Sequence, residues 1–230
     1  MLKITDLSKT YLNGETALSK FNLEINSKIT SLLGYNGSGK TTLMKIISGV
    51  LTPTTGKVEI FGHSPYSFRQ FMGYMPEENF LPPFLTGGEF LMFCCRLYGM
   101  PKSQAKEKIK TSLGILKSLP LKNKLVKNMS SGNKRKLLLI QSFIHQPKLV
   151  ILDEPSVYLD AKSKEFMRYS IECLPKSSMV LISSHILSEI EEIADTLIIL
   201  RQGKLIKVLN RQDIAQKGQA WVDDIRKIMG

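Results

Sequence analysis

The stretch Gly34-Tyr-Asn-Gly-Ser-Gly-Lys-Thr-Thr42 constrains this chain more than any other. It fits G-x-x-x-x-G-K-[ST] at Gly34, Gly39, Lys40 and Thr41. That pattern needs a strand before it and a helix after it. Residues 29–33 are a short apolar run of strand length, and Leu43, Ile46, Ile47 and Val50 recur at helical spacing. Glycines at 34, 37 and 39 open backbone conformations closed to residues with a Cβ. Successive N–H groups can then form a nest for anionic oxygens. The helix starting near Lys40 adds unpaired N–H groups and the positive end of its dipole. Lys40 is expected on the β- and γ-phosphates of a nucleoside triphosphate, and Thr41 on Mg²⁺, which takes octahedral oxygen ligation.

A chain of 230 residues can bury a core without staples. Three cysteines, Cys94, Cys95 and Cys173, give neither a disulfide framework nor a C-x-x-C metal pair, which points to a reducing compartment. The opening Met-Leu-Lys-Ile-Thr carries no apolar signal region, and no apolar stretch is long enough to span a bilayer. The expected location is cytoplasmic or peripheral. A net charge of +12, with a basic excess over residues 102–136, suits an acidic partner: nucleic acid, anionic headgroups or nucleotide.

Strand signals occur at 2–5, 21–25, 29–33 and 57–61, with a turn cluster at 52–56. From 86 to 128 the text turns helical, at 87–98 and 102–118, punctuated by Pro101 and Pro120. Helices at 133–144, 161–173 and 186–194 then alternate with strands at 149–152, 179–183, 196–201 and 204–208; the tail 213–230 reads as a short amphipathic helix. Alternation of this kind implies a largely parallel sheet covered on both faces.

The apolar run Leu149-Val-Ile-Leu152 ends in Asp153 and Glu154. Ligands of open α/β sheets bind beyond the carboxyl ends of strands. Asp153 is therefore expected to hold Mg²⁺ opposite Thr41, and Glu154 to take a proton from a water attacking the γ-phosphate. His185 follows the strand at 179–183 and could contact the γ-phosphate there. His63 and His145 have no such placement and read as ordinary surface or core histidines.

Taken in order, Tyr11, residues 34–42, Met75-Pro-Glu-Glu78, Met129-Ser-Ser-Gly-Asn133, residues 149–154, Leu159-Asp160 and Ser183-Ser-His185 resemble the ATP-binding subunit of an ABC transporter. The resemblance covers nearly the whole chain, from 2 to about 208. It implies an α/β fold: a P-loop NTPase core with a mostly parallel sheet, an antiparallel N-terminal β subdomain and a helical insertion subdomain. All of 1–230 would be one such ATPase domain, with 1–85 and 129–230 as the core and 86–128 as the insertion. The cofactors implied are ATP and Mg²⁺. Nucleotide contacts would come from Tyr11, stacking on adenine, from Gly34, Asn36, Gly37, Ser38, Gly39, Lys40, Thr41 and Thr42, and from Ser130, Ser131, Gly132 and Asn133 of a second ATP-binding subunit. Metal ligands would be Thr41, Glu77 and Asp153; catalytic residues would be Glu154, His185 and Lys40. The resemblance further implies a homo- or heterodimer and an integral membrane permease, on the inner face of the cell membrane, with no nucleic acid expected. Residues 90–99 resemble the export branch, which handles drugs, peptides or similar compounds.

Several residues depart from the family pattern. Glu77 replaces a common glutamine, Ser131 and Asn133 replace Gly and Gln of the L-S-G-G-Q cap, and Val157 and Tyr158 replace small residues. Two alternatives follow: a degenerate ATP-binding subunit within a heterodimer, or an ABC-type ATPase without a membrane partner. Substituting Lys40→Ala removes a charge-assisted partner of the phosphates. Calorimetry is expected to show sharply weakened ATP binding for this variant.

Overall fold

The computed structural model describes residues 1–157, 159–186 and 193–213. Its elements, in chain order, are β1 (Leu2–Thr10), β2 (Thr16–Ile25), β3 (Ile29–Leu33), α1 (Lys40–Ile47), β4 (Thr55–Ile60), α2 (Pro65–Phe68), β5 (Met72–Met75), α3 (Gly87–Leu97), α4 (Lys102–Ile115), α5 (Ser131–Phe143), β6 (Leu149–Leu152), α6 (Ala161–Glu172), β7 (Met179–Ser184), β8 (Thr196–Arg201) and β9 (Lys204–Asn210). They fall into two compact units, one of residues 1–69 and 179–230 and one of residues 70–178.

In the first unit, β2, β1 and β4 form an antiparallel sheet. Leu2, Ile4, Leu7, Leu18, Phe21 and Ile60 pack beneath it. β1 and β2 are twice as long as the expected strands at 2–5 and 21–25. Asp6 and Lys20 take φ of 47° and 45°, where register shifts interrupt the pairing. Such bulges break the period-two alternation that makes a strand legible in sequence. Strand β3 pairs in parallel with β7 on one side and β8 on the other, and β9 returns antiparallel at the edge. Every residue of β7 is buried, as the near-continuous apolar text of a doubly covered strand requires.

In the second unit, β5 and β6 pair in parallel, Met72 with Leu149 through Met75 with Leu152. α3 starts with a full capping box: Thr86 Oγ1 accepts from Glu89 N–H, and the Glu89 carboxylate accepts from Thr86 N–H. Cys94 and Cys95 are buried free thiols on α3, and burial pushes the Cys94 thiol up to about 12, leaving it inert. His145 is also a packing residue. Its ring stacks on Tyr98 with centroids 3.5 Å apart, and burial lowers its pKa to about 4.

Strand β5 has no counterpart in the sequence expectations. Met-Gly-Tyr-Met is too short and too glycine-broken to register as a strand. The glycine is nonetheless what lets it form. A Cβ on Gly73 would lie 1.8 Å from the carbonyl oxygen of Ser142 on α5. Gly73→Ala should therefore push α5 off β5, at about 1–3 kcal/mol for an overpacked site. Urea denaturation measures the loss.

Candidate functional site

The phosphate loop is built as its text demands. α1 opens at Lys40 behind Gly39, whose φ of 101° is left-handed, and no side chain caps the helix. The helix start thus presents the positive end of its dipole to the loop. A Cβ on Gly39 would also lie 2.7 Å from the Ala17 carbonyl. Gly37 has φ 80°. Gly34 differs from the expectation: its φ is ordinary, and glycine is required for space, since a Cβ would sit 2.4 Å from Ser38 Oγ and 2.6 Å from the Leu200 carbonyl. The loop is tied to the β8–β9 turn, where Gly203 N–H donates to the Ser38 carbonyl at 3.0 Å. The Lys40 ammonium is buried and donates to the Gly34 carbonyl at 2.6 Å. Asn36 is exposed, while Thr41 and Thr42 are half-buried at the helix start.

Tyr11 lies just past β1, exposed rather than within the strand, and its hydroxyl meets Thr42 Oγ1 at 3.1 Å. The sheet brings the other expected residue of this unit to the same edge. Leu33 pairs with Ser184, so Gly34 and His185 leave adjacent parallel strands at the same end. His185 is exposed there.

In the second unit, Met75 pairs with Leu152 in parallel, and Asp153 N–H donates to the Met75 carbonyl at 2.9 Å. The segments starting at Pro76 and Asp153 therefore leave the sheet together. Asp153 is fully buried; Glu77 is exposed. Glu154 is buried with φ 46°, a left-handed conformation unusual for a residue with a Cβ.

Helix α5 begins at Ser131, two residues before the expected start. Ser130 is its N-cap, and its Oγ accepts from Asn133 N–H at 3.3 Å. The N–H groups of Ser131 and Gly132 thus lie in the first turn, and the Ser130 hydroxyl keeps its proton for another acceptor. Asp160 caps α6: its Oδ1 accepts from Ser163 N–H, and Oδ2 from the Lys136 ammonium of α5 at 2.8 Å. Tyr158, residues 187–192 of the expected helix 186–194, and nearly all of the tail lie outside the described residues.

Sequence reasoning missed Arg135, which falls within the basic excess over residues 102–136. It is 0% exposed, and its guanidinium donates to the carbonyls of Pro76, Glu77, Asp153 and Glu154. Its spacing from Leu138, Leu139 and Ser142 on the buried face of α5 was the available signal.

A family model described as ABC transporter matches residues 18–157. The chain is 33% identical to the uncharacterized ABC transporter ATP-binding protein YxlF of Bacillus subtilis, over 96% of this chain and 75% of that protein. It belongs to the ABC transporter ATP-binding family. It is also 31% identical to the bacitracin transport ATP-binding protein BcrA of Bacillus licheniformis, over 97% of this chain and 74% of that one. A solved ATP-binding subunit of an ABC transporter superposes with TM-score 0.86 at 26% identity, covering 100% of this chain and 99% of the other. The protein is accordingly an ATP-binding, ATP-hydrolysing subunit with the P-loop NTPase fold. Among the described residues no helix is long and apolar enough to cross a membrane.

The hydrogen bond from Lys136, followed by those from Ser163, holds the Asp160 carboxyl down at about 2. A depressed folded pKa contributes stability above the unfolded value near 3.9 and loses it as pH falls through about 2. Asp160→Asn keeps a capping oxygen but not the charge. Its deficit should be only about 0.3–1 kcal/mol at pH 7, because the Asp160 carboxylate is half exposed, and should start to shrink below about pH 4. Urea titrations at pH 7 and pH 3.5 compare the two.

Proposed function

We propose that two such subunits, identical or paired with a related one, enclose two ATP molecules and drive a separate integral membrane permease. The loop of one subunit (Gly34, Asn36, Gly37, Ser38, Gly39, Lys40, Thr41 and Thr42) cradles the phosphates, and Tyr11 stacks on adenine. Ser130, Ser131, Gly132 and Asn133 of the other subunit close over the γ-phosphate with a hydroxyl and helix N–H donors. The donor set Thr41, Asp153 and Glu77 is all oxygen, which fits Mg²⁺. When bound, that ion would supply neutralisation of the phosphate charge that develops during transfer.

In the hydrolytic step, a water positioned in line attacks the γ-phosphorus and gives a proton to Glu154, while the bond to the β-phosphate oxygen breaks and ADP departs with inorganic phosphate. Lys40 spreads the developing charge, and His185 positions the γ-phosphate. The observation that carries this reading is Glu154 itself. A buried carboxylate in a left-handed conformation at a strand end is strain of the kind retained at functional sites.

The helical part, 86–128, and the loop around Glu77 form the permease-docking surface. Phe80, Phe84, Phe93 and Leu97 are exposed apolar side chains in this region, as a partner-covered patch would be. Docking there would place the protein at the cytoplasmic face of the cell membrane. Similarity to the bacitracin transport protein BcrA and to the SkfA peptide export ATP-binding protein SkfE favours export of a drug, peptide or similar compound. The test is Glu154→Gln: Mg²⁺-dependent phosphate release is expected to disappear while ATP-trapped dimers accumulate on gel filtration. Equal rates for wild type and variant would remove Glu154 as the base.

A further inference from the structure

Arg135 is the least expected charge in the molecule. It sits on the first turns of α5, immediately after the Ser130–Asn133 segment, and none of its side chain reaches solvent. One terminal nitrogen, Nη1, donates to the carbonyls of Pro76 and Glu77, the latter at 2.8 Å. The other, Nη2, donates to the carbonyls of Asp153 and Glu154 at 2.7 and 2.6 Å. One rigid planar fork thus joins three segments: α5, the exit of β5 and the exit of β6. Charge-assisted bonds to main-chain carbonyls fix backbone, not side-chain rotamers. The backbone fixed here includes Glu154, whose φ of 46° has to be held against relaxation to a commoner conformation.

Burial pulls the guanidinium pKa down, and the carboxylates of Asp153, Glu77 and Glu154 pull it back up. Such an ion is costly to bury, and here the two terminal nitrogens are bonded while Nε has no hydrogen-bond partner. Packing alone would not need it, since an apolar residue would fill the same place on the buried face of a helix. The position also asks for arginine in particular. A lysine ammonium is a point charge and cannot present two parallel pairs of donors to two chain segments.

We infer that Arg135 is a positioning residue for ATP hydrolysis: it holds the carbonyls of Pro76, Glu77, Asp153 and Glu154 in one frame with α5, so that Glu154 is aimed correctly. This rests on Glu154 being the base.

The experiment uses the full chain with Arg135→Lys, Arg135→Gln and, in parallel, Glu154→Gln. Melting temperature, ATP affinity by calorimetry, and steady-state kcat and KM are measured for each. Arg135→Lys is expected to fold and to bind ATP within about threefold of wild type. Its kcat should drop by about 10–100-fold at little-changed KM, the signature of a misplaced reacting group. A folded Arg135→Lys with wild-type kcat overturns the inference, as does a loss confined to KM. Failure of both Arg135 variants to fold also overturns it, leaving a structural pin. Wild-type turnover in Glu154→Gln removes the base assignment and the positioning role built on it; an inactive Glu154→Gln beside wild-type kcat in Arg135→Lys removes the positioning role alone, so the two failures are distinguishable.

Discussion

Parallel strand pairing is the constraint on which the functional geometry depends. In a parallel ladder both strands run the same way, so chain segments leaving paired carboxyl ends emerge side by side. In the first unit this places Gly34 beside His185. In the second it places Pro76 and Glu77 beside Asp153 and Glu154. Helix ends are then brought to these edges: α1 directly out of the phosphate loop, and α5 through close contact with β5 at Gly73.

A second level of organisation is electrostatic and buried. Arg135 and Lys136 are adjacent on α5 yet act in opposite environments. Arg135 is wholly enclosed and hydrogen-bonded through its two terminal nitrogens but not through Nε, whereas Lys136 reaches outward to the cap of α6 at Asp160. One helical turn thereby ties the exits of β5 and β6, the N-terminus of α6 and the Ser130–Asn133 segment together. An ion pair with one half-exposed partner, such as Lys136–Asp160, contributes modest stability. The buried guanidinium matters for geometry more than for net stability, since its desolvation offsets much of its attraction.

Much of this was legible in the text. The strand–loop–helix context of residues 34–42 was plain because glycine, lysine and threonine at that spacing have one common physical use. The helices at 87, 102 and 161 announced themselves through periodicity and punctuation, and all three formed at the expected first residue. The misses have physical causes. Bulges at Asp6 and Lys20 hid half of two strands, and β5 is a strand only because α5 and β6 flank it. Gly34 was assigned conformational freedom when what it supplies is room.

The sequence by itself determined local matters: where phosphates bind, where helices start, which strands are buried, and the family to which the chain belongs. These follow from short-range rules of backbone freedom, capping and periodicity. Only the tertiary structure decided which groups share an edge and what a given charge touches. Arg135, in a run of lysines, reads as surface until the helix face and its neighbours are known. The physical reason is that burial and hydrogen-bond partners depend on residues some twenty to sixty positions away in the chain, as Arg135 does on Pro76 and Glu154.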